Sequence, residues 1–216
     1  SGATKIIHVG DPVTTIVQQV VDVGHDLVVV TTDDDHEDQV TIKRLLRDCP
    51  CPVWILRKSR ARTTRVMAAI STEPGEEELN HAVLELAGKL HRACGGELHV
   101  AHAWELYGEA TMRASSMIHT SDAEIDRLLQ AEQAEAEKAV NELVRSSEAG
   151  LPWHVHLRKG SVREMIPELV TTKRINHLVV GTMARRGLSG LVIGNTVEKV
   201  VDSVTCSVLV TKPPQR

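Results

Sequence analysis

The sequence predicts an α/β protein. Its core is a doubly wound, parallel five-stranded sheet, preceded by the C-terminal half of a second such domain. Three observations predict this. Short Val/Ile/Leu-rich runs alternate with helix-period stretches five times between residues 65 and 212. Hydrophobic residues make up 42% of the chain, yet Phe is absent and Tyr occurs once, so the core is aliphatic. Such a core suits a parallel sheet buried under helices on both faces. Finally, residues 6–56 repeat the plan of residues 156–210.

The elements follow in order. Residues 65–70 read as a buried strand. Helical spacing over 76–94 places Leu79, Val83, Leu86, Ala87 and Leu90 on one face, and Gly95-Gly96 stops that helix. Residues 98–103 form the second strand. Ser121-Asp122-Ala123-Glu124 is a capping box. The helix it opens carries Ile125, Leu128, Leu129, Val140, Leu143 and Val144 on one stripe and ends near Gly150. A strand at 153–158, a helix at 162–173, a strand at 177–181, a helix after Asn195 and a strand at 207–211 complete the unit. Right-handed crossovers then place helices on both faces of the sheet. Residues 59–64 read as a linker, which divides the chain into 1–58, 59–64 and 65–216.

The repeat is unequal. Ile6-Ile7-His8-Val9-Gly10-Asp11 corresponds to His156-Leu157-Arg158-Lys159-Gly160-Ser161, and Asp26–Thr31 to His177–Thr182. Pro50-Cys51-Pro52-Val53-Trp54-Ile55-Leu56 corresponds to Cys206-Ser207-Val208-Leu209-Val210. Both copies read strand, helix, strand, helix, strand. From Asp26 to Cys51 is 25 residues and from His177 to Cys206 is 29, so the second copy is longer by 29 − 25 = 4. The extra length holds Gly187, Gly190 and Gly194, where the first copy has Asp33-Asp34-Asp35. The second copy follows a further unit and the first does not. The expectation is a chain that begins inside a domain, as a fragment of a tandem protein or as an unusual half-domain.

Composition excludes several classes. A net charge of −4 and a pI of 6.3 give no electrostatic footprint for nucleic acid or an anionic membrane. The aromatic-poor surface offers no stacking platform for single strands. No apolar run reaches membrane-spanning length, and Ser1-Gly2-Ala3 leads directly into a strand-like run rather than a signal peptide. Cys49, Cys51, Cys94 and Cys206 lack zinc or redox spacing, so reduced thiols in a cytoplasmic protein are expected. Eleven histidines invite a metal reading. However, His99 and His102 alternate to opposite sheet faces. His154 and His156 share a face with no carboxylate or Cys at ligand spacing, so no metal is expected. His36 beside the 33–38 acidic run belongs to a solvated loop. No Gly-x-Ser-x-Gly elbow occurs.

In an open parallel sheet, ligands bind outside the carboxyl ends of the strands where strand order reverses. That places Ile70, Ser71 and Thr72, ending the first strand, beside Gly181 and Thr182, ending the fourth. The 181–194 loop contains Arg185, Arg186, Gly187, Ser189 and Gly190, and Asn195 and Thr196 start a helix. Free N–H groups at a helix start attract phosphate, and arginines add charge-assisted hydrogen bonds. The same features also describe a plain Gly-rich turn before a capped helix. Lys159-Gly160-Ser161 is a minor anion contact or simply a turn and cap.

Four stretches carry a resemblance. Gly181-Thr182-Met183-Ala184-Arg185-Arg186-Gly187-Leu188-Ser189-Gly190, then Gly194-Asn195-Thr196-Val197-Glu198-Lys199-Val200, resembles the universal stress protein family, and Cys206–Val210 matches that family's closing strand. The resemblance covers nearly the whole chain. The segment Leu45-Leu46-Arg47-Asp48-Cys49-Pro50-Cys51-Pro52-Val53-Trp54 is similar to the tandem, E-type branch. The resemblance implies the fold related to adenine-nucleotide-binding α/β proteins. It also implies a motif of Gly, two residues, Gly, nine residues, Gly and Ser/Thr. That motif falls on Gly181, Ala184, Gly194 and Asn195, with Ala184 and Asn195 as departures. The family's adenine-side Asp falls on Ser71.

The resemblance implies a non-enzymatic stress-response protein that binds ATP, a related adenine nucleotide or another small anionic ligand. The residues implied are Ile70 and Ser71 near the base, with Gly181, Thr182, Gly194, Asn195, Thr196 and Val197 at the phosphates and Arg185 assisting. It also implies a homodimer or tandem pseudo-dimer through the final strand. The alternatives are a slow ATPase or nucleotidyl-transfer enzyme on the same fold, for which no acid, base or metal ligand is found, and a ligand-free dimerisation module.

Overall fold

The computed structural model describes residues 3–32, 36–59, 61–114, 120–147, 150–183, 185–187, 190–192 and 195–213; for 36, 37, 185–187, 190–192 and 195 it describes the backbone only. The elements are α1 (Pro12–Val23), β1 (Val28–Thr31), α2 (His36–Asp48), β2 (Val53–Leu56), β3 (Arg65–Ala69), α3 (Glu77–Cys94), β4 (Glu97–Trp104) and α4 (Glu109–Ala114). They continue with α5 (Asp122–Ser146), β5 (Trp153–Lys159), α6 (Val162–Thr172), β6 (His177–Gly181), β7 (Arg185–Gly187), β8 (Gly190–Val192), α7 (Asn195–Ser203) and β9 (Ser207–Thr211).

One seven-stranded sheet runs in the order β1-β2-β9-β6-β3-β4-β5. Its five strands from β9 to β5 are all parallel, and strand order reverses between β6 and β3. This is the doubly wound unit that the sequence predicts, with each strand within two residues of its predicted bounds. Strands β1 and β2 are parallel to each other, and β2 pairs antiparallel with β9, Trp54 opposite Leu209. The edge of the final strand is therefore taken by the N-terminal segment of the same chain.

Two cores sandwich the sheet. On one face Ile42 and Leu46 of α2, Ile166, Leu169 and Val170 of α6, and Val200 and Val201 of α7 cover Val53, Ile55, Met67, Leu178 and Val208. On the other, Val83, Leu84, Ala87 and Leu90 of α3 with Val140 of α5 cover Val66, Ala68, Leu98, Val100, Val179 and Leu209. The alternation along each strand sorts residues between these faces. Polar groups stitch the two segments together. Lys43 pairs with Asp202 at 2.8 Å, Arg47 with Glu198 at 3.3 Å, and Lys212 Nζ donates to the Cys49 carbonyl at 2.6 Å.

Local chemistry explains the boundaries. The Asp11 side chain caps α1 by accepting from the Thr14 N–H at 2.9 Å, and Gly24 closes it in the left-handed region at φ 77°. Ser121 accepts from Glu124 N at 3.3 Å, the predicted cap.

Two expectations fail, and one element went unpredicted. Residues 6–9 form no strand, and Ile6, Ile7 and Val9 are exposed. Their counterpart β5 is held by pairing with β4, and among the described residues of 3–58 there is no equivalent of β4 to offer a ladder. The short helix α4 lies where no element is predicted, because six residues are too few to show a period. The stretch after β6, predicted as open loop, contains the antiparallel pair β7–β8, with Gly187 opposite Gly190.

Candidate functional site

A cavity of about 810 Å³ opens at the carboxyl ends of β3, β4 and β5. It is lined by Ile70, Ser71, Thr72 and Glu73 after β3, by His102 to Leu106 at the end of β4, and by Lys159, Gly160 and Val162 between β5 and α6. Tyr107, Gly108, Glu109, Ala110 and Arg113 form the α4 side, and Glu132 reaches it from α5. Such a cavity falls within the size range of small-ligand sites. Its place follows from the topology, because parallel strands diverge into loops at their carboxyl ends beside the order reversal.

The floor is rigid. Asn80 is buried on α3 and holds the backbone of Ser71 twice: the Ser71 N–H donates to Asn80 Oδ1 at 3.0 Å, and Asn80 Nδ2 donates to the Ser71 carbonyl at 2.6 Å. The Ser71 hydroxyl accepts from Glu73 N at 3.1 Å. His102 completes the clamp. Its Nδ1–H donates to the Ile70 carbonyl at 3.1 Å, since a carbonyl only accepts. That leaves Nε2 to accept from the Thr72 hydroxyl at 3.2 Å. Burial holds the His102 pKa below the usual histidine value, which keeps this tautomer neutral.

The walls combine one large apolar surface with paired charge. Trp104 is buried, whereas Tyr107 stands 98% exposed at the rim. Lys159 Nζ lies 2.7 Å from Glu109 Oε2, and Arg113 Nε lies 3.0 Å from Glu109 Oε1. Hydrogen bonds from Lys159 and then Arg113 hold the Glu109 carboxyl below its usual pKa. Both cations thus share one carboxylate, and Glu73, Glu105 and Glu132 add negative charge. This end of the site suits a neutral, hydrogen-bonding group such as a base or sugar better than a phosphate.

The predicted residues divide between two places. Ile70 and Ser71 line the cavity, together with Thr72. Gly181 ends β6 on the far side of β3, where a Cβ would sit 2.5 Å from Leu79 Cγ, so α3 packs directly on its bare Cα. Thr182 is 1% exposed and its N–H donates to the Thr211 carbonyl at 2.8 Å. Its hydroxyl is buried and has no hydrogen-bond partner among the described residues. Arg185 lies on β7, and Asn195, Thr196 and Val197 form the first turn of α7, where Arg163 of α6 reaches Thr196 Oγ1 at 3.5 Å. Gly194, Ala184 and Ser189 lie outside the described residues, as do Asp33, Asp34 and Asp35.

Sequence reasoning missed Asn80, Trp104 and Glu109 and weighed His102 only as a metal ligand. Asn80 left a signal, a polar residue on the apolar stripe that contains Leu79, Val83 and Leu84. Among the described residues no group of three or more His, Cys, Asp or Glu is arranged to hold a metal ion. No described helix is long and apolar enough to cross a membrane. All four cysteines are free thiols.

Comparison with known proteins places this architecture. The family model described as "Universal stress protein family" matches residues 63–212. The chain belongs to the universal stress protein family. Universal stress protein E of Escherichia coli (strain K12) is 28% identical over 225 residues, covering 98% of this chain and 68% of its own length. The universal stress protein E homolog of Haemophilus influenzae is 28% identical over 207 residues, covering 89% of this chain and 64% of its own length. Among solved structures, a protein of unknown function from Pseudomonas aeruginosa PAO1 is 26% identical with a TM-score of 0.66, over 94% of this chain and 69% of that one. A universal stress protein from Archaeoglobus fulgidus DSM 4304 shares the fold at 19% identity and a TM-score of 0.60, over 95% of this chain and 67% of that one.

Proposed function

We propose that this universal stress protein is a non-enzymatic binder of an adenine nucleotide or a closely related small ligand. Its base and sugar enter the cavity after β3, β4 and β5, and its phosphate lies toward Thr182 and the first turn of α7. The single observation that carries this reading is the cavity itself, which opens at the carboxyl ends of β3, β4 and β5, beside the strand-order reversal, on a floor that Asn80 and His102 hold by hydrogen bonds. A preformed floor lowers the ordering cost of binding. The uncapped Thr182 hydroxyl supplies a donor with no described partner, and the α7 start supplies backbone N–H groups to an anion. In this reading Gly181 brings α3 close, and Arg185, Gly194 and Asn195 take the phosphate roles that the family motif implies for their positions.

The non-enzymatic part rests on the chemistry of the lining. His102 is engaged by Ile70 and Thr72, and Glu109 by Lys159 and Arg113. Both are committed to hydrogen bonds within the protein. The same reading takes residues 1–58 as the C-terminal part of a first, degenerate domain joined through 59–64 to the complete unit at 65–216. The β2–β9 pairing then stands for the contact that would otherwise join two subunits. Four free thiols fit a reducing compartment such as the cytoplasm.

Isothermal titration with ATP, AMP and adenosine tests the binding, and a phosphate-release assay with and without magnesium tests the absence of turnover. The expected result is saturable binding without hydrolysis. In Ala110→Trp, where an indole on α4 fills the cavity, binding is lost while the fold persists. Turnover abolished by Gly194→Val would favour the ATPase reading. No heat and no thermal shift with any nucleotide would favour the ligand-free module.

A further inference from the structure

Three histidines lie together on β4 and β5, away from the cavity. His99 pairs in register with His154, and His156 is two residues further along the same face of β5. The His99 ring centroid is 5.1 Å from that of His154 and 5.2 Å from that of His156, the latter pair stacked at 22°. His99 Nδ1 and His156 Nε2 are 3.0 Å apart, so one ring donates and the other accepts. That bond exists only while at least one ring is neutral. His99 is 5% exposed, whereas β5 is the terminal strand of the sheet and exposes four of its seven residues.

The charges around the stack are poorly placed to receive imidazolium. Arg158 on β5, Lys173 at the end of α6 and Arg65 on β3 add positive charge. Glu97 on β4 comes within 3.4 Å of His99 Nε2, but Arg65 already holds its carboxylate through two hydrogen bonds of 3.0 Å. Protonating a second ring therefore breaks the shared hydrogen bond and places like charges in stacking contact.

We propose that this histidine stack is an acid-sensitive latch. It fastens the terminal strand β5 to β4 at neutral pH and releases it when the rings take up protons. Burial, reinforced by neighbouring cations and histidines, lowers His99 below its ordinary 6.5 and His156 to about 4. The sign follows from linkage. A histidine whose folded pKa is depressed contributes fully above its unfolded value, and that contribution is lost as pH falls from about 6.5 toward about 4. Lys159 and Gly160 at the end of β5 wall the cavity, and the Gly160 N–H donates to the Trp104 carbonyl at 2.9 Å. Release of β5 would open the cavity; that consequence alone rests on the ligand reading above.

Hydrogen exchange on the full chain without ligand, at pH 7.5 and pH 5.0 and expressed as protection factors, tests the latch. His102, buried, and His177, half-buried, lie elsewhere with lowered pKa values and also respond to acid, so the readout must be local. The latch predicts that amides of β5 lose about tenfold in protection at pH 5.0 relative to those of β6 and β9. In His154→Gln/His156→Gln, whose amides hydrogen-bond but do not titrate, that loss falls below about threefold. His156→Gln alone gives an intermediate loss and guards against a misfolded double variant. Equal loss in β5 and β9, no loss at pH 5.0, or full loss in the double variant would overturn the latch. Nucleotide titrations at pH 7.5 judge the ligand reading separately, because the exchange experiment contains no ligand.

Discussion

Replacing Gly181 by alanine asks what that glycine is for. An added Cβ would lie 2.5 Å from Leu79 Cγ and 2.7 and 2.8 Å from its two Cδ atoms. Real Cβ atoms do not approach carbon that closely, so either Leu79 leaves its rotamer or α3 lifts off β6. Leu79 is buried within the α3 face. Overpacking of this kind costs about 1–3 kcal/mol. Urea unfolding of Gly181→Ala should show that loss at an unchanged m-value. The decisive assay is the double-mutant cycle. Leu79→Ala alone costs about 2–5 kcal/mol through the cavity it leaves. On that background Gly181→Ala no longer meets the three atoms nearest to it and should cost less than about 0.5 kcal/mol, a coupling of about 1–3 kcal/mol between the sites. A Gly181→Ala protein as stable as the wild type, or one whose loss is the same with and without Leu79, would refute the packing argument. It would return Gly181 to a role in ligand approach alone.

Two further predictions concern the floor and the thiols. Asn80→Ala strips both hydrogen bonds from the Ser71 backbone and should cost about 1–3 kcal/mol in urea unfolding. Asn80→Asp keeps the acceptor but sets a buried carboxylate oxygen against the Ser71 carbonyl, so at neutral pH it should cost at least as much as alanine. Burial pushes the thiols of Cys51 and Cys206 up to about 12 and about 11, so at pH 8 almost no thiolate forms at either. Brief iodoacetamide treatment followed by peptide mass mapping should mark the exposed Cys94 first, and equal labelling of Cys206 would contradict that environment.

The parallel unit was legible because β3, β6 and β9 are short apolar runs between helix-period stretches. The burial of Val66, Met67 and Ala68, and of Leu178, Val179 and Val180, bears this out. The capping box at Ser121 and the glycine stop after Cys94 marked helix ends for local reasons that need no tertiary context. The strand expected at residues 6–9 was misread because a strand needs a neighbour, and apolar composition does not supply one. The site was half legible. Topology pointed to Ile70 and Ser71, which line the cavity, and the glycine-rich stretch pointed to Thr182, which is not among the lining residues. The partners that shape the floor, Asn80 and His102, sit nine and thirty-two residues from the groups they hold, on other elements. Such long-range pairings leave only a weak trace in sequence, here a polar residue on an apolar stripe. The histidine stack was half read for the same reason: alternation separated His99 from His102, but only the β4–β5 register brings His99 against His154 and His156.

The central claim is that the cavity after β3, β4 and β5 receives a ligand of the adenine-nucleotide class. The chain has three tryptophans, and of these only Trp104 lines that cavity, while Trp54 lies on β2 and Trp153 begins β5. The most direct measurement is therefore the indole ¹H–¹⁵N spectrum of the full chain during a titration with ATP and AMP. The account predicts that the Trp104 indole resonance moves saturably with nucleotide while those of Trp54 and Trp153 stay in place, and that Ala110→Trp abolishes the movement. A Trp104 resonance unmoved at saturating nucleotide, or three indoles that shift together, would contradict it.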